Sequence, residues 1–446
     1  STEKKLGGDL NQRGAQIKLK GEWYMEINVN HTIRIICEVP FYIIDNFSFY
    51  WDINCHAKLS VKGCINQSIQ YMKEALYNSK ICVRKDCDDR QQIIFYGYVS
   101  KVSEIVTGGL IKIFQEAVSG SYLLDQKLIK RSFQMVENTY ADIINEAVQG
   151  GNGKVICTAG NEKQIQKPII QYQETVWDFC KRMAGHLGTC LVADVQIGES
   201  ALWFGMRNGD NIPPLLENEY IVKIRRMDNC RTESIYQIES RDFYKIGDKT
   251  IFCGKKLIIC TVTADFKDGE LVFTYFLKEK ETTTMTYNEL FIGLGLAGTV
   301  IDVRDEQIKI ALDIDNGIST GNYFYNWYPE TGNALYAMPE IGARVMLCFE
   351  GRDEREGFVL NCLRDDFRCG AFYSHRHLYT NNGCSMNLPD DKINFTARHQ
   401  CFLTSDDEEI IVHSFHNVYM LAKEGIYINA DSIFVRSSDE LSFCQS

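Results

Sequence analysis

In this 446-residue chain the side chains able to do chemistry gather in few places. Cys82 and Cys87 in CVRKDC could offer two thiolates to a metal. Four residues separate them and no second pair follows, so structural thiols are expected. His375 and His377 in SHRH could set two imidazoles on one strand face, but no third ligand is implied and an exposed loop is the simpler reading. His413 and His416 read the same way. GGNGKV, residues 150–155, has the glycines and lysine of a phosphate loop, yet Val stands at 148 where the first glycine would be and at 155 where Ser or Thr is needed. A connector after a helix is left. The aromatic run YFYNWYP, residues 323–329, could stack on bases or sugars. It lacks the basic residues that nucleic acid demands, so packing at a barrel rim or a subunit contact is the expectation.

HExxH, GxSxG and a strand-borne GxGxxG are all missing from the sequence. Acidic residues are plentiful, and a glycosidase pair is set by separation in space, which spacing along the chain leaves open. No catalytic, cofactor-binding or metal-ligating residue is therefore assigned, and no cofactor is expected. The formal charge is 48 minus 59, or −11, so the surface as a whole should repel nucleic acid, which is not expected as a partner. Seventeen cysteines are spread among apolar neighbours, the pattern of reduced thiols. Neither a signal peptide nor a transmembrane span is expected, because the longest apolar stretch, IRIICEVPFYIIDNF, is broken by Glu38, Pro40 and Asp45.

The elements that must position these residues are mostly strands. From Trp23 to about Phe133 short strands alternate with polar turns, as in HAKLSV, where Ala57, Leu59 and Val61 fall on one face. One helix, SIQYMKEAL, is expected among them. Near Asn138 the period changes to 3.6. Thr139 and Asp142 have capping-box spacing, Ile143, Ile144 and Ala147 form the apolar face, and Gly150 and Gly151 give the stop. ETVWDFCKRMAGHLG repeats the device, with Thr175 and Asp178 opening, Trp177, Cys180, Met183, Ala184 and Leu187 facing inward, and Gly188 closing. Strands return from Leu202 to about Phe276, which suggests two barrels with a helical element between them.

Residues 290–363 hold the cleanest hairpins. Ile308, Ile310, Leu312 and Ile314 alternate on one, while Val345, Leu347 and Phe349 precede the charged turn GRDEREG and Phe358 and Leu360 follow it. A small barrel of the oligonucleotide/oligosaccharide-binding type is expected. Beyond Arg364, apolar pairs recur at Ile393 and Phe395, Cys401 and Leu403, Ile410 and Val412, Val418 and Met420, Ile426 and Ile428, and Ile433 and Val435. Strands so short must stack on copies of themselves or on other chains.

Taken in order, these blocks resemble the VgrG and phage late control protein D family, the hub and central spike of contractile tails and injection systems. Residues 93–134 are similar to its "F-x-G-x-V" strand (Phe95, Gly97, Val99), its "L-D" pair (Leu124, Asp125) and its "R-S-F-Q" (Arg131, Ser132, Phe133, Gln134). QYQETVWDFCKRMAGHLG looks like its "Q-Y-x-E-T/S-x-W/F-x-F" helix, through Glu174, Trp177 and Phe179. YAMPEIGARVMLCFEGRDEREGFVL resembles its barrel signature, through Met338, Pro339, Glu340, Gly342, Val345 and Phe349, with Tyr336 where Trp is usual. The likeness covers about residues 20–365.

The resemblance implies a mainly β fold with a helical insertion (α+β): two hub β-barrels, an OB-type small barrel and a C-terminal β-stranded trimeric shaft. The implied division is 1–135 first hub barrel, 136–200 helical hub domain, 201–288 second hub barrel, 289–364 OB barrel and 365–446 shaft. It implies a homotrimer whose paired barrels match a sixfold tube. The partners would be an inner tube protein, baseplate proteins, a PAAR-like spike-tip protein with cargo, and, transiently, the envelope of a target cell. Assembly in the bacterial cytoplasm and action outside it would follow. The role is structural, not enzymatic, since the sequence shows no lysozyme insertion. A cell-wall-degrading enzyme and a glycan- or nucleic-acid-binding module are the alternatives.

Overall fold

The computed structural model describes residues 4–5, 15–19, 22–28, 33–66, 68–69, 79–87, 90–215, 219–226, 232–267, 269–281, 283–329, 336–363, 375–380, 382–398 and 401–442. Most of the helix expected at SIQYMKEAL lies outside them. The chain divides into two compact units, Ser1–Leu363 and Arg364–Ser446. No helix among the described residues is long and apolar enough to cross a membrane.

The first unit is mainly β. Its largest sheet has 14 strands and draws on both β-rich regions of the sequence. From the first come Lys58–Ile65, Lys80–Cys87, Arg90–Thr107, Leu110–Ser119 and the long strand Phe41–Asp52; from the second come Lys255–Lys267, Glu270–Lys278, Thr232–Ser240 and Tyr220–Arg226. The seam is the antiparallel pairing of Phe41–Asp52 with Lys255–Lys267, where Ser48 to Asp52 face Asp265 to Thr261. The Thr261 hydroxyl donates to Asp52 at 2.7 Å across it. Hydrogen bonding thus runs from one region into the other without a break. A common apolar core follows, in which Phe47 meets Phe266 edge to face at 5.7 Å and Phe49 meets Phe95 at 6.0 Å. Alternation in HAKLSV produces what it predicts: Ala57, Leu59 and Val61 are all buried.

Two helices interrupt the strands. Helix α1 is Tyr140–Gly150, and its capping box is complete: the Thr139 hydroxyl accepts from the Asp142 amide while the Asp142 carboxylate accepts from the Thr139 amide at 2.8 Å. Helix α2 is Val176–Leu187, opened by the Thr175 hydroxyl accepting from Asp178 and ended by Gly188 at φ 66°, a left-handed cap. Both helices bury one face in a shared cluster with Leu124, Phe133 and Phe204. The "R-S-F-Q" stretch belongs to this cluster, since strand Ile129–Phe133 pairs with Ile169–Glu174 rather than with the large sheet.

After these comes a small five-stranded antiparallel sheet ordered Tyr325–Asn326, Gln307–Leu312, Gly295–Arg304, Arg344–Cys348, Phe358–Cys362. A bridge from Trp327 to Val359 brings its first and last strands together. Ile308, Ile310, Leu312, Val345, Leu347 and Phe349 fill the interior as expected. The last strand differs: Val359 is the residue turned inward, not Phe358 and Leu360. A register shift between Met346 and Leu347 sets Leu347 opposite Val359, and Phe358 is left to pack edge to face on Tyr328 at 5.3 Å.

The second unit is a five-stranded antiparallel meander, Arg376–Tyr379, Cys384–Leu388, Lys392–Ala397, Cys401–Asp406 and Ile410–Ser414. Its register aligns Leu378, Met386, Phe395, Leu403 and Val412 in one row across all five strands. Leu378, Phe395, Leu403 and Val412 remain exposed in the isolated chain. The apolar pairs from Val418 to Val435 fall in residues 415–442, which carry no strand and leave those side chains exposed.

Candidate functional site

The residues singled out by the sequence serve packing, turns and ion pairs. Fifteen of the eighteen lie in or beside a joint where the helical cluster meets the large sheet on one side and the small barrel on the other. The barrel half of the joint contains Met338, Pro339, Glu340, Gly342, Val345 and Phe349. Val345 and Phe349 are core, Pro339 is buried, and Met338 packs against that core. Gly342 has φ 90° and donates its amide to Val300 at 2.8 Å, closing the turn into strand Arg344–Cys348. Glu340 is exposed. Phe95, Gly97 and Val99 stand apart on strand Arg90–Thr107, where Phe95 is fully buried and Val99 lines the core of the large sheet.

A buried ion triad is the centre of the joint. The Arg182 guanidinium, on α2, donates to the Glu174 carboxylate at 2.5 Å, to the Glu354 carboxylate, and to the Ile170 carbonyl at 2.9 Å. Glu174 ends the strand leading into α2, and Glu354 belongs to the charged turn GRDEREG of the barrel. Arg182 and Glu354 are 3% and 1% exposed, so this turn, polar by composition, plants a carboxylate in the interior. Burial opposes the charge on Arg182, but the two carboxylates outweigh it and hold the guanidinium protonated. Burial pushes the Glu174 carboxyl up, with Arg182 pulling it back.

A second connection is made by "R-S-F-Q". Ser132 donates its amide and hydroxyl to Asp315 of the barrel at 2.8 and 2.6 Å, and Gln134 donates to the Ser132 hydroxyl at 3.0 Å. Gln134 also forms a parallel bridge with Gly321. A Cβ at 321 would lie 1.9 Å from the Gln134 carbonyl carbon, so only glycine permits this approach. Arg131 ties the same strand to the helices, donating to Gln171 at 2.7 Å and to the Ala147 carbonyl at 3.1 Å. Phe133 stacks on Phe179 with centroids 5.5 Å apart.

Toward the large sheet, Thr175 donates its hydroxyl to Asp125 at 2.6 Å, and the His56 ring packs on Trp177 at 4.1 Å while contacting Ser121 at 2.9 Å. Leu124 is core. The joint therefore strings together three sequence blocks that lie far apart in the chain. Sequence reasoning marked Glu174 but missed Arg182, Glu354, Asp315 and Gly321. The one signal available was a strongly charged turn, which composition reads as solvated.

The other candidates are resolved by their surroundings. Tyr325 and Trp327 of the aromatic run are buried, with the Trp327 indole donating to the Ala337 carbonyl at 3.0 Å, so the run is chiefly packing. His377 lies on strand Arg376–Tyr379 rather than in a loop, its ring stacked with Tyr379 at 5.6 Å. His413 stacks on Phe402 at 4.9 Å. No cluster of three metal-ligating side chains occurs among the described residues. Burial pushes the thiols of Cys37 and Cys260 up to about 12, which makes them inert packing groups.

No family model matches the chain, and no curated protein matches it by sequence. Solved structures do. The Escherichia coli c3393 protein, a component of the type VI secretion system with structural similarity to the bacteriophage T4 tail proteins gp27 and gp5, is 11% identical, with a TM-score of 0.53 over 72% of this chain and 96% of that one. A chain of the half-lidded Francisella PdpA-VgrG complex is 11% identical, with a TM-score of 0.53 over 83% of each chain. The lidded form of that complex matches at 9% identity and the same TM-score, over 83% of this chain and 76% of that one. At such identities the likeness is one of architecture: this chain carries the fold of those secretion-system proteins.

Proposed function

We propose that the chain is the hub and spike subunit of a contractile injection machine, a homotrimer that joins a sixfold inner tube to a threefold puncturing shaft. The observation that carries this reading is the C-terminal unit. In its row, Leu378, Phe395, Leu403 and Val412 are exposed beside the half-buried Met386, and the apolar pairs of residues 415–442 are likewise left uncovered by the described residues of that unit. Three copies wound together would cover them at roughly 25 cal/mol per Å² removed from water. The shared fold supports the same reading. We take residues 1–135, 136–200, 201–288, 289–364 and 365–446 as the two hub barrels, the helical domain, the OB-type barrel and the shaft, with tube, baseplate and tip proteins as partners.

In this role the joint serves as scaffold and needs no turnover. Light scattering of the purified full chain is expected to give three times the 51.2 kDa chain mass. A monomer at micromolar concentration would overturn the proposal. The enzymatic alternative predicts that the protein clears a suspension of purified peptidoglycan, whereas a mechanical spike leaves its turbidity unchanged.

A further inference from the structure

We propose that α2 is an acid-releasable latch: the imidazoles of His56 and His186, one at each end of the helix, hold it docked while neutral and loosen it when they take up protons. At the first end, the His56 ring packs 4.1 Å from Trp177 and 5.7 Å from Tyr122, with Nδ1 2.9 Å from the Ser121 hydroxyl and Nε2 3.4 Å from the Asp125 carboxylate, whose attraction for a proton burial outweighs. At the last turn, both ring nitrogens of His186 are buried without a hydrogen-bond partner, and the ring meets Tyr140 edge to face at 6.2 Å. A proton added there enters a site that offers it no acceptor.

The charges around each ring set the direction. His186 faces Arg182 on its own helix, Arg355 and Asp353 on the barrel turn, and Lys163 on the loop after α1, so three cations outnumber one carboxylate. His56 faces Asp125, Asp178 and Lys181. Burial is the largest influence on both and lowers both; His186 falls from the ordinary 6.5 to about 4. A base whose pKa is lowered in the docked state supports docking above its free value. That support is lost as pH falls from 6.5 toward the docked value. Glu174 works in the opposite sense, because burial raises its pKa and acid then favours the docked form.

The test is hydrogen exchange on the full-length protein between pH 7.5 and 5, corrected for the intrinsic rate and read in peptides covering Val176–Leu187. Opening of α2 is expected to rise as pH falls below 6.5, approaching about tenfold per pH unit, while peptides from Gly295–Arg304 in the barrel core do not change. His186→Phe should reduce the slope, and the double change with His56→Gln should abolish or invert it, leaving only Glu174. A flat wild-type profile, or an unchanged slope in the double variant, overturns the proposal. Should the variants fail to fold, carbon-labelled imidazoles in the wild type decide it. Of the eight histidines, His186 must keep the neutral-ring shift at pH 5.5 and His56 must titrate below 6.5, and titration of all eight near 6.5 overturns it.

Discussion

Arg182 serves two carboxylates and a backbone carbonyl at once, from a position that water does not reach. Such a triad is stabilising only as a set, because each charge is tolerated through its partners. Arg182→Leu, which strands Glu174 and Glu354, is expected to cost about 3–5 kcal/mol in denaturant unfolding. Replacing all three together by apolar residues of similar size should cost far less, since no orphaned charge remains. Equal losses in the single and triple variants would mean that packing, not the ion set, holds the joint. Glu174 was legible beforehand because it stands in a motif, whereas Glu354 was not: GRDEREG has the composition of a solvated turn, and a carboxylate's burial depends on a partner 172 residues away.

At the level of elements, the helix caps were read correctly, while the pairing between strands was not accessible. Thr139 with Asp142, and Thr175 with Asp178, announce their helices through spacing alone, since a cap is made within four residues. Thr139→Ala is expected to lower stability by about 1 kcal/mol, read as a shift in urea midpoint with an unchanged slope. The strand Phe358–Cys362 shows the reverse case. Its inward residue depends on a one-residue slip in its pairing with Arg344–Cys348, which skips Leu360, and no periodicity within FVLNC reveals it. The seam between Phe41–Asp52 and Lys255–Lys267 was hidden for the same reason, as more than 200 residues separate its two sides.

For the whole molecule, the C-terminal unit makes the sharpest demand. Its expected pairs at Ile393, Leu403 and Val412 lie on strands as the spacing suggests, but those at Val418 to Val435 lie in segments without strand pairing in one chain. Phe395 and Leu403 sit directly opposite each other in the exposed row. If the proposed trimer forms, the double change Phe395→Asp and Leu403→Asp is expected to yield monomers in light scattering while leaving hydrogen exchange in peptides from residues 1–363 nearly unchanged. Persistence of the trimer would shift the burden of association to the first unit.

The seam in the large sheet carries one more implication. Because the seam strands lie antiparallel and pair over Ser48–Asp52 and Thr261–Asp265, a load directed along them would be shared by several bonds at once instead of parting them singly. A body so stitched resists shear along its strands better than two separate halves joined by a linker, and it would part, if at all, where the ladder ends.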